Sequence, residues 1–315
     1  MKRIVFFICI ALSFTMTLSA KGRGDTGRAD GKINVVTTIF PPYDFVREIA
    51  GDKVNLTMLL PPGAESHSFE PTPQDIIRIQ NCDVFVYVGG ESDAWIERIL
   101  ESIDTENIEI ITFMDCVDVV EELVVEGMQD EEEGADEEEV EYDEHVWTSP
   151  RNAKLIVQKI TEVLKERDAP NAALYDRNTA SYLAKLTELD ASFQSMISGA
   201  RRKVFIFGDR FPFRYFADAY GLSYYAAFPG CSTETECSAA TIAFLVNKVR
   251  AERIPVIFHI ELSNERIADA ICEETGAKKL LLHAVHNISR RDFDRGESYY
   301  HLMTQNIQNL REALY

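Results

Sequence analysis

Residues 33–60, Ile33-Asn-Val-Val-Thr-Thr-Ile-Phe-Pro-Pro-Tyr-Asp-Phe-Val-Arg-Glu-Ile-Ala-Gly-Asp-Lys-Val-Asn-Leu-Thr-Met-Leu-Leu60, decide the fold. Ile33 to Ile39 is an apolar run of buried-strand type. Pro41-Pro42 opens a helix and Gly51 closes it, proline being tolerated in a first turn and glycine favoured past a last one. Val54 to Leu60 is a second strand. A strand, a helix and another strand in so few residues imply a parallel pair with the helix packed on its face.

The pattern continues outward. Thr72 and Pro73 cap a short helix, and Asp83–Val88 and Ile108–Thr112 read as strands three and four. Pro150–Arg167 reads as a helix. Asn171–Ser198 reads as a second, without internal Gly or Pro and about 42 Å long at 1.5 Å per residue, which suits a rod joining two lobes. The second half repeats the order. Strands are expected at Lys203–Phe207, Leu222–Tyr225, Pro255–Ile260 and Lys279–His283. Helices are expected near Phe213–Tyr220, Ala239–Glu252, Ser263–Thr275 and Ser298–Leu314. The expected architecture is α/β with two lobes, each a parallel sheet flanked by helices: an N-terminal lobe over 33–168, the linking helix over 171–198 and a C-terminal lobe over 201–315.

The N-terminus reads as a secretory signal. Lys2 and Arg3 precede an uncharged apolar run from Ile4 to Leu18, and Leu18-Ser19-Ala20 offers a small-residue cleavage site. Residues 1–20 are therefore assigned to a signal peptide and 21–32 to a flexible lead-in, and the mature chain to a periplasm. Cys9 lies inside the apolar run, too early for lipid attachment after cleavage. Removing residues 1–20 takes two cations and no acid, so the formal charge goes from −20 to −22. That excludes nucleic acid and anionic lipid as partners and favours cations. The stretch 121–144 holds fourteen Asp or Glu and no Lys or Arg, and reads as a solvated, mobile loop.

An oxidising compartment permits disulfides. Cys231 and Cys237 lie six apart in a Gly/Ser/Thr-rich loop, and Cys82 and Cys116 each border a predicted strand, so both pairs are candidates. The alternative is that Cys82, Cys116 and Cys272 are small buried residues. No spacing matches a Cys-x-x-Cys metal site.

Two of the chain's six histidines stand in marked loops. His67 lies in Pro61-Pro62-Gly63-Ala64-Glu65-Ser66-His67-Ser68-Phe69-Glu70-Pro71-Thr72-Pro73, and His145 in Tyr142-Asp143-Glu144-His145-Val146-Trp147-Thr148-Ser149-Pro150. Neutral imidazole is the commonest transition-metal ligand, and a proline-framed loop can aim it without helix strain. Ligands of two-lobed α/β proteins lie at the carboxyl ends of the strands, which is where both loops fall.

With these loops the chain resembles the solute-binding proteins of zinc and manganese ABC importers. The likeness also takes in Phe213 with Tyr215-Phe216, Gly230-Cys231-Ser232-Thr233-Glu234, Glu274-Thr275-Gly276-Ala277 and Gly296-Glu297-Ser298-Tyr299-Tyr300. It implies a metal site between the lobes, one long interlobe helix, a monomer, a membrane ABC permease as partner and no enzymatic activity. Relatives usually carry a third histidine before the Phe-x-Tyr-Phe stretch. Here that position is Arg210, which has no lone pair to offer a cation. Relatives also carry an acidic ligand after the Gly276-Ala277 strand, and that position falls on His283. The expected ligands are His67, His145 and His283, with His286 as competitor or fourth partner. Each has a plainer alternative: His283 packs at a strand end, and His286 only caps the following segment. His259, inside an apolar run, is read as a packed strand residue. Arg210 needs a carboxylate from Asp209, Glu261 or Glu65, and a pair with Glu261 is the expectation.

Nitrogen-rich ligation favours Zn2+ over manganese, which prefers oxygen. In the resembled group an acidic loop gathers cations; the bland alternative is a solubilising insertion. Two other function classes compete with capture of Zn2+ for import: a zinc-dependent hydrolase with Glu65 or Glu144 as base, and a metal-stabilised adhesin. Neither a His-Glu-x-x-His run nor a glycine-framed serine is present.

Overall fold

The strand–helix–strand unit at the start of the fold forms as β1 (Ile33–Thr37), α1 (Phe40–Ala50) and β2 (Val54–Met58). The computed structural model describes residues 31–65, 69–128, 141–232 and 236–315, and residues 33–315 make one compact unit. The proposed signal peptide, most of the lead-in, His67 and the centre of the acidic stretch lie outside the described residues.

The first sheet continues with β3 (Val84–Tyr87) and β4 (Glu109–Thr112), in the order β2-β1-β3-β4. All pairs are parallel, with Ile33 opposite Val54, Val36 opposite Phe85 and Val86 opposite Ile111. Between them run α2 (Pro73–Gln80) and α3 (Ala94–Ser102). Thr72 caps α2 as read from sequence, and with Asp75 completes a reciprocal capping box.

Two helices packed on each other follow, α4 (Pro150–Arg167) and α5 (Ala172–Ser198). The 27 residues of α5 span about 40 Å. Its Tyr182 meets Phe45 of α1, with ring centroids 6.2 Å apart, and its Phe193 meets Phe216 of the second half at 4.9 Å. One rod thus touches both halves.

The second sheet comprises β5 (Val204–Phe207), β6 (Ser223–Tyr225), β7 (Val256–His259) and β8 (Lys278–Leu281) in the order β6-β5-β7-β8, again all parallel. Around it lie α6 (Arg214–Tyr220), α7 (Ala239–Glu252), α8 (Arg266–Thr275), α9 (Arg290–Asp294) and α10 (Tyr299–Leu314). Gly221 and Gly276 end α6 and α8 in the left-handed region, where a side chain is disfavoured. Gly208, just past β5, admits α8: a Cβ there would stand 2.4 Å from the Ala268 Cα.

One hydrophobic core runs from Val35 through α4 and α5 to Leu314, with satellites under α2 and α3 and under α7 and α8. Among the described residues no helix is long and apolar enough to cross a membrane.

The structure corrects two expectations. All five described cysteines are thiols. Cys82 packs in the satellite under α2 and α3, whereas Cys116 packs on the main core. Cys237 packs in the satellite under α7 and α8, whereas Cys231 lies beside Glu144 and His145. Each expected pair is thus divided between environments. The stretch 121–144 is not solvated throughout either. Its ends pair as antiparallel legs through a Glu121–Tyr142 bridge, with the Glu122 amide donating to the Glu141 carbonyl. Asp143 and Glu144 are buried.

Candidate metal centre

In each sheet the strand order reverses between the first and third strands, β1 and β3 in one, β5 and β7 in the other. The crevice beyond the carboxyl ends of such strands is where an open α/β sheet binds ligand. Thr38, Ile39, Val88 and Gly89, past β1 and β3, line a small cavity with Ser92, Glu144, Trp147 and His286. Arg210, Ile260 and Glu261, past β5 and β7, line another with Ala64, Glu65, Asn287 and His286. His286 is common to both.

His145 lies beside it. The rings of His145 and His286 meet edge to face with centroids 4.7 Å apart. His145 is fully buried and His286 nearly so. Asp143 Oδ1 accepts from the His145 amide at 2.8 Å and lies 2.9 Å from its Nδ1. This contact puts the ring proton on Nδ1 and the lone pair on Nε2, the tautomer a carboxylate imposes on a ligating histidine. Burial, then His286 and the Arg210 cation, hold the His145 pKa well below its ordinary value, so the ring is neutral and able to donate to a metal. Burial likewise pushes Asp143 up to about 7 and Glu144 up to about 8. Glu144 accepts from the Ser92 amide at 3.1 Å and from its hydroxyl.

The loop after β8 holds the centre together. Its Ala284 carbonyl accepts from the Trp147 indole at 2.8 Å, fixing the segment that carries His145. Asn287 Nδ2 donates to the carbonyls of Pro61 and Ala64, each at 2.8 Å, fixing the loop that leads to His67. Glu261 accepts from the Ala284 and His286 amides at 2.8 and 2.9 Å. Burial opposes the Glu261 charge, but hydrogen bonding and the nearby His286 and His283 outweigh it and hold its pKa below the usual carboxylate range. Val285 has φ of 66°, a left-handed backbone uncommon for a β-branched residue. It turns the chain so that His286 enters the cleft.

Of the sequence candidates the structure brings His145 and His286 together. β8 ends at Leu281, two residues before His283. That residue is half-buried, with its backbone clasped by Asn306 at 2.8 Å in both directions. It is not among the described residues that line either cavity. His259 Nδ1 lies 3.1 Å from the Ile260 carbonyl, a strand-end contact. Arg210 forms its ion pair with Glu65 at 3.7 Å, while Glu261 serves the backbone of the His286 loop.

Three features escaped the sequence reading. Asp143 grips His145 only two residues on, and the partners of Asn287, Pro61 and Ala64, lie across the fold, where no spacing signals them. Cys231 was considered only as half of a disulfide. Glu144, His145 and Cys231 each present a ligand atom within 4.8 Å of one another. The Cys231 thiol is held above its ordinary pKa by burial and by the Glu144, Asp143 and Glu122 carboxyls. Gly230 lets this segment approach: a Cβ there would stand 3.0 Å from His145 Cε1.

Comparison with known proteins agrees with this geometry. A family model described as ZnuA, zinc-uptake complex component A, periplasmic, matches residues 35–313. The high-affinity zinc uptake system protein ZnuA of Bacillus subtilis is 32% identical over 312 residues, covering 97% of this chain and 96% of its own. The zinc-binding lipoprotein AdcA of Streptococcus pneumoniae is 31% identical over 290 residues, 91% of this chain; the match spans only 56% of that longer relative. Among solved structures, the metal-dependent lipoprotein YcdH of Bacillus subtilis has a TM-score of 0.75 at 31% identity, over 90% of this chain and 99% of that one. The Zn(II)-bound ZnuA-like domain of the pneumococcal AdcA has 0.73 at 29%, with the same coverage. With a family match across nearly all of the described fold, and a relative at this identity over nearly its whole length, the chain belongs to the ZnuA family.

Proposed function

We propose that the chain is an extracytoplasmic binding protein that captures Zn2+ and delivers it to an ABC permease for import. Its relatives' zinc-binding names support this reading, and the observation that carries it is the pair of buried imidazoles, His145 and His286, at the mouths of both sheets. Nitrogen donors of this kind suit zinc better than manganese. We propose His67, His145 and His286 as ligands, with a fourth position for an oxygen donor. The Asp143 contact orients the His145 ring, and Glu261 and Asn287 hold the loop of His286. The periplasm is the proposed location, supported by the signal-like residues 1–20 and the family's description, and the chain is proposed to act as a monomer. Binding without turnover fits a site whose acids, Asp143 and Glu144, are engaged in positioning.

The test is metal analysis and calorimetry on the mature chain, with His67, His145, His283 and His286 each replaced by Ala at fixed pH. One zinc per wild-type chain is expected, with large losses for His67, His145 and His286. A chain that binds no zinc, or one that His145→Ala leaves unaffected, refutes the reading.

A further inference from the structure

We infer that Tyr215, on α6, is a positioning residue for the metal: its hydroxyl fixes the peptide of Asp143 and through it the aim of the His145 ring. This rests on the zinc-binding reading and deepens it. The legs of the 121–144 stretch form an antiparallel ladder about the Glu121–Tyr142 bridge. The Glu122 amide donates to the Glu141 carbonyl and the Asp143 amide to the Val120 carbonyl, each at 3.0 Å. Val120 and Asp143 therefore face each other as a hydrogen-bonded pair, which ordinarily exchanges two direct bonds. Here the second bond is not direct. The Val120 amide donates to the Tyr215 hydroxyl at 3.2 Å, and that hydroxyl donates to the Asp143 carbonyl at 2.7 Å. One tyrosine hydroxyl is inserted into the rung.

The inserted rung is the last before the chain leaves the ladder for His145. Asp143 is now gripped at three places. Val120 holds its amide, Tyr215 its carbonyl, and its Oδ1 meets both the His145 amide at 2.8 Å and the ring Nδ1 at 2.9 Å. Asp143 is buried, so moving its peptide leaves a carbonyl without a partner, at a cost. Tyr215 is buried too, and α6 packs on the turn Val146–Thr148 that follows His145. The legs are tied to the second half once more where Glu122 accepts from the Cys231 amide at 3.0 Å. A residue that follows the second sheet's β5 thus sets the aim of a ligand carried by the first half. Partners that orient a ligating histidine are worth about 10–100-fold in metal affinity. Tyr215 acts one bond further out, so its hydroxyl should be worth the lower end.

The test compares Tyr215→Phe with Tyr220→Phe in the mature chain. Tyr220 lies on the same helix, and its hydroxyl donates to Asp190 at 2.9 Å, away from the ladder. Zinc affinity is read by competition with a chelator, and the His145 tautomer by nitrogen NMR of labelled histidine in the metal-free chain. The His145 signal is assigned by its loss in His145→Gln. Wild type and Tyr220→Phe should show one tautomer, protonated at Nδ1, and equal affinity. Tyr215→Phe should bind zinc about tenfold more weakly and show a shifted or mixed His145 signal. A merely structural hydroxyl would lower the melting temperature and leave the tautomer unchanged. If Tyr215→Phe does not fold, hydrogen exchange of the wild type carries the test. Zinc should then slow the Val120 amide at least about threefold more than the Glu122 amide on the next rung, because coupling through the hydroxyl is reciprocal. Unchanged zinc affinity or an unchanged His145 signal in folded Tyr215→Phe, an equal loss in Tyr220→Phe, or equal slowing at the two amides overturns this inference alone. A wild-type chain that binds no zinc removes both it and the reading beneath it.

Discussion

His286 owes its place to the residue before it. The left-handed backbone at Val285 costs on the order of 1–3 kcal/mol, and the hydrogen bonds donated by the Ala284 and His286 amides to Glu261 and by Asn287 to Ala64 hold it there. Position 286 therefore enters the cleft while position 283 stays with Asn306. His286→Ala is expected to weaken zinc binding by at least about a hundredfold and His283→Ala by no more than about threefold, read by competition with a chromophoric chelator. The opposite ranking would restore His283 as ligand. Gly230→Ala, whose Cβ would meet the Phe211 carbonyl at 2.9 Å as well as His145 Cε1 at 3.0 Å, should push the His145 ring off its Asp143 contact, weaken zinc by about tenfold and lower the melting temperature. The segment holding His283 and His286 was legible in the sequence, but the choice between the two histidines was not. The choice depends on where β8 stops and on one unusual φ, and neither leaves a mark in hydrophobic period or spacing.

At the scale of elements, the strands and long helices were legible because they carry period and punctuation. The α2 start at Thr72-Pro73 and the α5 rod both formed within a residue of expectation. The links between elements were not. Asp44 of α1 shows why: it is fully buried and accepts from the Tyr299 amide at the start of α10, 255 residues away, at 2.6 Å. Burial raises its pKa from 3.8 to about 6 despite Arg47. Between those values the folded chain binds more protons than the unfolded one, so stability falls as pH rises through the window. The cost is full above about pH 6 and gone below about pH 4, on the order of 3 kcal/mol. Asp44→Asn keeps an acceptor for Tyr299 and removes this titration. The wild type should therefore gain melting temperature relative to the variant as pH falls from about 7 to 4. Parallel curves would show that Asp44 is not the group responsible. At the β5–α8 contact, Gly208→Ala should destabilise by about 1–3 kcal/mol, measured by urea titration, because a Cβ there meets the Ala268 backbone.

For the whole molecule, charge and shape set how a cation arrives. A formal charge of −20 for the full chain raises the local concentration of divalent ions, so the zinc association rate should fall with added salt. An unchanged stopped-flow rate between low and high ionic strength would remove that steering. With α5 packed on both halves, capture should need only a slight closure. Scattering profiles with and without zinc are expected to superimpose, and a resolved contraction would reveal a hinge. The 121–144 stretch was read by charge alone, and charge cannot say which of its residues face inward; Asp143 and Glu144, at its end, do.

The undivided core that joins Val35 to Leu314 has a consequence for anyone who would dissect the chain. A cut at the α4–α5 turn divides that interior, so the two gene fragments should be insoluble and recover zinc binding only when refolded as a mixture. Calorimetry of the intact protein should accordingly trace a single endotherm.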